Sequence, residues 1–131
     1  MKYLLNITLL LALMVTLTSA AKGDDGVMTK ENGVYVVNTT TLGKKVTGYV
    51  GATPLKVYIE KDKIVRVEML RNQETPKYNA MIKRKLLGQW EGKKVKDASK
   101  QTVDAVTGAT FTSNAVKENV RLALEYYKKN K

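Results

Sequence analysis

The part of this chain best equipped for chemistry is Asp104-Ala105-Val106-Thr107-Gly108-Ala109-Thr110-Phe111-Thr112-Ser113. Small residues and hydroxyls crowd the point where an amphipathic pattern begins. Unpaired backbone N–H groups and the positive end of a helix dipole make such a place favourable for a phosphate. Gly108 lets the backbone turn closely around one. Taken alone, the same pattern precedes many ordinary helices. The 131 residues contain no Cys and no His. That rules out a Cys/His zinc site, thiolate-held iron–sulfur clusters, His-ligated haem, a Cys nucleophile and a His general base. Redox or catalytic work must use a borrowed cofactor, carboxylates, hydroxyls or Lys.

The elements that must position this stretch are legible as patterns. Val116, Val120, Ala123, Leu124 and Tyr127 recur at helical spacing from Ser113 onward, predicting a terminal amphipathic helix capped by Thr112 or Ser113. Leu55, Val57 and Ile59 alternate with Lys56, Tyr58 and Glu60, and Val65, Val67 and Met69 alternate with Arg66 and Glu68. With Lys61-Asp62 as the turn, residues 55–70 read as a β-hairpin. Val34 to Asn38 and Val46 to Val50 read as short strands. Thr75 as N-cap and Pro76 at the first helical position start another helix, carrying Tyr78, Met81, Ile82 and Leu86. Gly88, in the left-handed conformation, should end it. A basic connector, Glu91 to Lys100, follows. The order predicts an α+β domain, helices packed on one face of a small antiparallel sheet.

The N-terminal MKYLLNITLLLALMVTLTSA has one Lys ahead of an apolar run from Tyr3 to Leu17, then small residues up to Ala20. It reads as a secretory signal peptide, residues 1–20. The run is shorter than the roughly 20 apolar residues a membrane-spanning helix needs. An uncleaved N-terminal anchor is the alternative. Residues 21–33, rich in Gly and charge, read as a mobile leader, and 34–131 as one domain. The charge balance, 23 Lys and Arg against 12 Asp and Glu for a net +11, is strongly basic. For an exported chain, anionic membrane surfaces or acidic proteins are better partners than nucleic acid. A merely solubilising surface is the plainer reading.

The pattern D-x-x-T-G-A-T-x-T-S, Asp104 to Ser113, resembles the flavinylation motif of the FMN-binding domain family. That family includes flavin-carrying subunits of the sodium-pumping NADH:quinone oxidoreductase and of Rnf-type complexes. Glu74-Thr75-Pro76 resembles the family's E-T-P segment. Gly48-Tyr49-Val50-Gly51 with Pro54, and Trp90-Glu91-Gly92-Lys93-Lys94, are looser matches. The likeness covers about residues 46 to 127. It implies that FMN is joined through its phosphate to the Thr110 hydroxyl by a separate flavin transferase outside the cytoplasm. Thr107, Gly108 and Ala109 would be its neighbours, and Asp104 would serve transferase recognition or hold the loop. Thr75, with Glu74 beside it, would approach the flavin, and Gly51, Ala52 and Thr53 would line the pocket. Lys77-Tyr78 stands where larger relatives often have Gly-Leu, and Thr107 where they often have Ser.

These resemblances imply a periplasmic or secreted electron carrier, a monomer that exchanges electrons with a redox protein or a membrane electron-transport complex. Tyr49, Tyr78, Trp90, Phe111 and Met69 are the available wall residues for a ring. Each is read first as ordinary packing, with Tyr78 the best placed to stack. Lys77 or Arg71 near a reduced flavin would raise its potential. The runner-up function is an FMN-free basic module for an anionic envelope polymer or an acidic protein.

Overall fold

The computed structural model describes residues 26–100 and 103–131. The segment read as a signal peptide lies outside the described residues, as does the first part of the segment read as a leader. The chain runs β1 (Met28–Glu31), β2 (Val34–Asn38), β3 (Leu55–Glu60), β4 (Lys63–Met69), α1 (Pro76–Lys85), a 3-10 turn (Leu87–Gln89), α2 (Val95–Lys100) and α3 (Thr110–Asn130). The four strands form one antiparallel sheet in the order β1-β2-β3-β4, confirming the α+β expectation. Part of the segment read as a leader is therefore an edge strand, with Met28 paired to Val37 and Glu31 to Val34. Asn32-Gly33, both at positive φ, make the tight turn that a mostly polar composition concealed.

The hairpin forms as its alternation predicts, and its turn residues Lys61 and Asp62 both take positive φ. On β3, Leu55, Val57 and Ile59 are fully buried. On β4 the phase shifts: Ile64 and Val67 are buried while Val65 is exposed. A register shift opposite Tyr58 and Ile59 accounts for it, because one extra residue turns the following side chains to the other face. The buried side of the sheet packs on α3, which lies against β2 and β3 and is met by α1 and α2. From α3, Val116, Val120, Ala123, Leu124 and Tyr127 enter the core. Trp90 joins it from the end of the 3-10 turn, and α2 forms in the connector that follows.

Three boundaries differ from expectation. Residues 46–50 are not a strand but part of a long β2–β3 crossover, reduced to one bridge, Thr47 to Ala52. Gly88 sits inside the 3-10 turn and is not among the positive-φ glycines; α1 ends at Lys85 because the chain tightens there. α3 starts at Thr110, three residues before Ser113, with Ala109 as its boundary residue. Among the described residues no helix is long and apolar enough to cross a membrane.

Candidate functional site

The crossover between β2 and β3 is the element that builds the site. Its ends are zipped together where Thr39 N–H meets the Leu55 carbonyl at 2.9 Å and Leu55 N–H meets Thr39 Oγ1 at 2.9 Å. Its tip is a tight turn in which Gly48 N–H donates to the Gly51 carbonyl at 2.8 Å. Three successive N–H groups of that tip point at one carboxylate. Tyr49 N–H donates to Glu74 Oε1 at 2.7 Å, and Val50 and Gly51 N–H donate to Oε2 at 2.5 and 2.9 Å. The Thr112 hydroxyl donates to Oε1 at 2.5 Å. Glu74 thus joins the crossover tip to the first turn of α3, and it does so with only 4% of its surface exposed.

Burial by itself would raise the Glu74 carboxyl's pKa. The Thr112 hydroxyl and the backbone N–H groups of Tyr49, Val50 and Gly51 outweigh it, and the group is held below its ordinary value. Gly48 is required by this clamp. A Cβ there would stand 2.4 Å from Glu74 Oε1 and 3.1 Å from the Thr112 Cα, leaving no room for a side chain.

Directly beside the clamp lies a cleft of about 260 Å³ walled by Tyr49, Tyr78, Phe111, Thr112 and the turn Gly108-Ala109-Thr110. Gly108 has φ +89°, a conformation that side-chain-bearing residues rarely adopt, and turns the chain into α3. Ser113 N–H is the first to close onto the Ala109 carbonyl, at 2.9 Å. The N–H groups of Thr110, Phe111 and Thr112 therefore precede the helical ladder and lie at the positive end of a 21-residue helix. Tyr49 stacks on Phe111 with centroids 6.3 Å apart and meets Tyr78 edge-on at 6.0 Å. Tyr49 and Phe111 are 62% and 66% exposed. For two large rings that is an open apolar surface in search of a flat partner.

The hydroxyls of the segment are sorted by exposure. Thr110 and Thr112 both border the cleft, but only Thr110 is exposed. Thr112 and Ser113 are buried; Thr112 is spent on Glu74, and Ser113 Oγ accepts from Val106 N–H at 3.0 Å. Thr110 is exposed on the cleft, and Thr107 is exposed in the turn before it, off the cleft wall.

The expected residues fall in three groups. Gly108, Ala109, Thr110 and Tyr78 meet at the cleft. Glu74, Gly51, Ala52 and Thr53 lie behind it as its support. Gly51 donates to Glu74, Ala52 bridges Thr47, and Thr53 is buried, its carbonyl and hydroxyl accepting from Asn119 Nδ2 at 3.0 and 3.1 Å. Thr75 accepts through its carbonyl from Tyr78 and Asn79 N–H and starts α1 without a side-chain cap. Lys77 is exposed and outside the cleft wall. Asp104 is exposed; its carbonyl accepts from Gln89 Nε2 at 3.3 Å. Trp90 is a core residue and Met69 packs against the core. Tyr49 and Phe111, read first as ordinary packing, are exposed on the cleft wall. Their only signal was adjacency, one following Gly48 and the other following Thr110.

A model of the FMN-binding domain family matches residues 48–125. The match begins at the crossover tip and ends within the last turns of α3, so it contains every residue of the clamp and the cleft. This chain belongs to the FMN-binding domain family. The family places flavin binding on the chain, and the open aromatic cleft at a helix N-terminus suits a planar ring carrying a phosphate. No curated protein matches the chain.

Proposed function

We propose that the protein is an extracytoplasmic electron-transfer flavoprotein that carries one FMN joined through its phosphate to the Thr110 hydroxyl. The observation that carries the reading is the sorting of hydroxyls. Thr112 and Ser113 are buried and engaged, Thr107 stands off the cleft, and Thr110 is both exposed and on the cleft wall. The attachment would form an oxygen–phosphorus bond at Thr110 with loss of water overall, and it calls for a dedicated flavin transferase. The phosphate would meet the N–H groups at the start of α3, where the helix dipole favours negative charge.

The residues of this chain divide the work. Tyr49, Tyr78 and Phe111 would hold one side of the ring and keep water from it, while the open side admits a redox protein or a membrane electron-transport complex. The cleft is smaller than the roughly 300 to 1,000 Å³ of pockets that enclose a ligand, which suits a cofactor retained by a bond. A covalent bond makes the effective concentration of flavin independent of supply. Glu74 would support the wall from behind, its charge already balanced by four hydrogen bonds. When bound, the flavin supplies the electron-transfer chemistry that no side chain here can.

Intact mass tests the proposal. Protein co-expressed with a flavin transferase and exported should gain one FMN less one water. Thr110→Ala should abolish the gain and the in-gel flavin fluorescence, and Thr107→Ala should keep both. Equal masses for the wild type and Thr110→Ala, apart from the side-chain change, would instead favour the flavin-free binding module.

A further inference from the structure

Six lysines gather at the end of the molecule opposite the cleft. Lys61 and Lys63 come from the β3–β4 turn, Lys94 and Lys96 from the start of α2, and Lys128 and Lys131 from the end of α3. Together they line a depression of about 420 Å³. The fold assembles them through backbone pairing: Lys63 bridges Lys94, and Val95 N–H donates to the Asp62 carbonyl at 2.9 Å. One acidic residue, Asp62, lines the depression, and its carboxylate is already taken by the Tyr127 hydroxyl at 2.5 Å and Lys131 Nζ at 2.8 Å. Positive charge therefore remains in large excess.

Lys128 and Lys131 also suit the negative end of the α3 dipole. That explanation does not extend to Lys94 and Lys96, which sit at the start of α2, where a helix disfavours cations. We propose that this lysine pole is a docking surface for the anionic headgroups of a phospholipid bilayer. Two features choose this partner over an acidic protein. Protein interfaces have cores enriched in aromatic residues, Met and Arg and depleted in Lys. The pole has the reverse composition, and the exposed large apolar residues of the described chain, Tyr49, Val50, Val65 and Phe111, all lie outside it. Lysines are also flexible point charges without the rigid fork of Arg. Such charges suit a dense, mobile field of phosphates better than one stereospecific site.

The length of α3 sets the geometry. Its 21 residues span roughly 30 Å, with Thr110 at one end and the pole at the other. A molecule seated by its lysines therefore presents the aromatic cleft away from the lipid. The inference does not depend on flavin attachment.

The test is co-sedimentation of the protein, purified as the host exports it, with vesicles of phosphatidylcholine alone or mixed with phosphatidylglycerol. Binding should require phosphatidylglycerol and fall away between about 0.1 and about 1 M salt. Lys63→Glu/Lys94→Glu/Lys96→Glu should lose at least about 50-fold in affinity. Lys83→Glu/Arg84→Glu/Lys85→Glu, with the same change of net charge on α1, should lose no more than about 3-fold. If the first variant fails to fold, Gln at the same three positions keeps the comparison. Thr110→Ala should bind as the wild type does. Equal binding to both vesicle types, or equal losses in the two triple variants, would overturn the proposal. So would retention on immobilised polyglutamate without vesicle binding, which would assign the pole to an acidic protein.

Discussion

Glu74 makes four hydrogen bonds from a buried position, and each comes from a group that its ionised form attracts. Its folded pKa is depressed below the ordinary 4.5. The associated stability is thus fully present above the unfolded carboxylate's pKa and is lost as pH falls through the folded value. Glu74→Gln turns an amide –NH₂ toward groups that themselves donate. At pH 7 it should cost about 2–3 kcal/mol, and it should flatten the part of the acid-denaturation profile below pH 4.5 that the wild type shows. A chemical-denaturation series against pH measures both effects; an unchanged profile would show that the clamp is not ionised. The residue was legible in sequence as the first of Glu74-Thr75-Pro76, but as an approach to the ring. Its partners lie 23 to 38 positions away, and no local pattern records a contact of that range.

Among the elements, α3 is where the sequence spoke most clearly, because a 3.6-residue repeat of apolar side chains leaves a helix little choice of face. Its start was less clear. Thr112 and Ser113 have the composition of caps, yet both hydroxyls serve tertiary bonds, and the helix begins two to three residues earlier. The β3–β4 hairpin was equally plain, while the phase change on β4 was hidden by a register shift that alternation cannot foresee. Within the connection 39–54, Val46 to Val50 looked like a strand because it is rich in β-formers, but the backbone of that connection is held by Glu74 and Asn119 instead of a neighbouring strand. Leu124, 1% exposed, belongs to the repeat that holds α3 on the sheet. Leu124→Ala should cost about 2–5 kcal/mol and lower Tm by at least about 8 °C, as calorimetry will register. Phe111→Ala, by contrast, removes a largely exposed ring and should change stability little.

At the scale of the whole molecule, the aromatic cleft and the lysine pole occupy opposite ends of the terminal helix. The cleft end holds the exposed rings of Tyr49 and Phe111 with Thr110, and the other end holds the six lysines of the pole. Composition announced a net charge of +11 but not its distribution, since the six lysines come from three separate parts of the chain and meet only through the fold. The family motif marked the segment from Asp104 to Ser113 without its surroundings. Under the proposed attachment, burial sets Thr112 and Ser113 aside, and position on the cleft wall separates Thr110 from the equally exposed Thr107.

The long terminal helix is fastened at both extremities. Near its beginning Thr112 is bonded to Glu74, and near its finish Tyr127 is bonded to Asp62. Helices held only by their middles fray, and amide deuteration then rises toward each tip. Here the exchange profile from Ser113 to Tyr127 should instead be nearly level, every amide waiting on the same global opening event. Substituting Tyr127 with Phe should restore the gradient at the far tip alone, a difference that mass-resolved peptides can display directly.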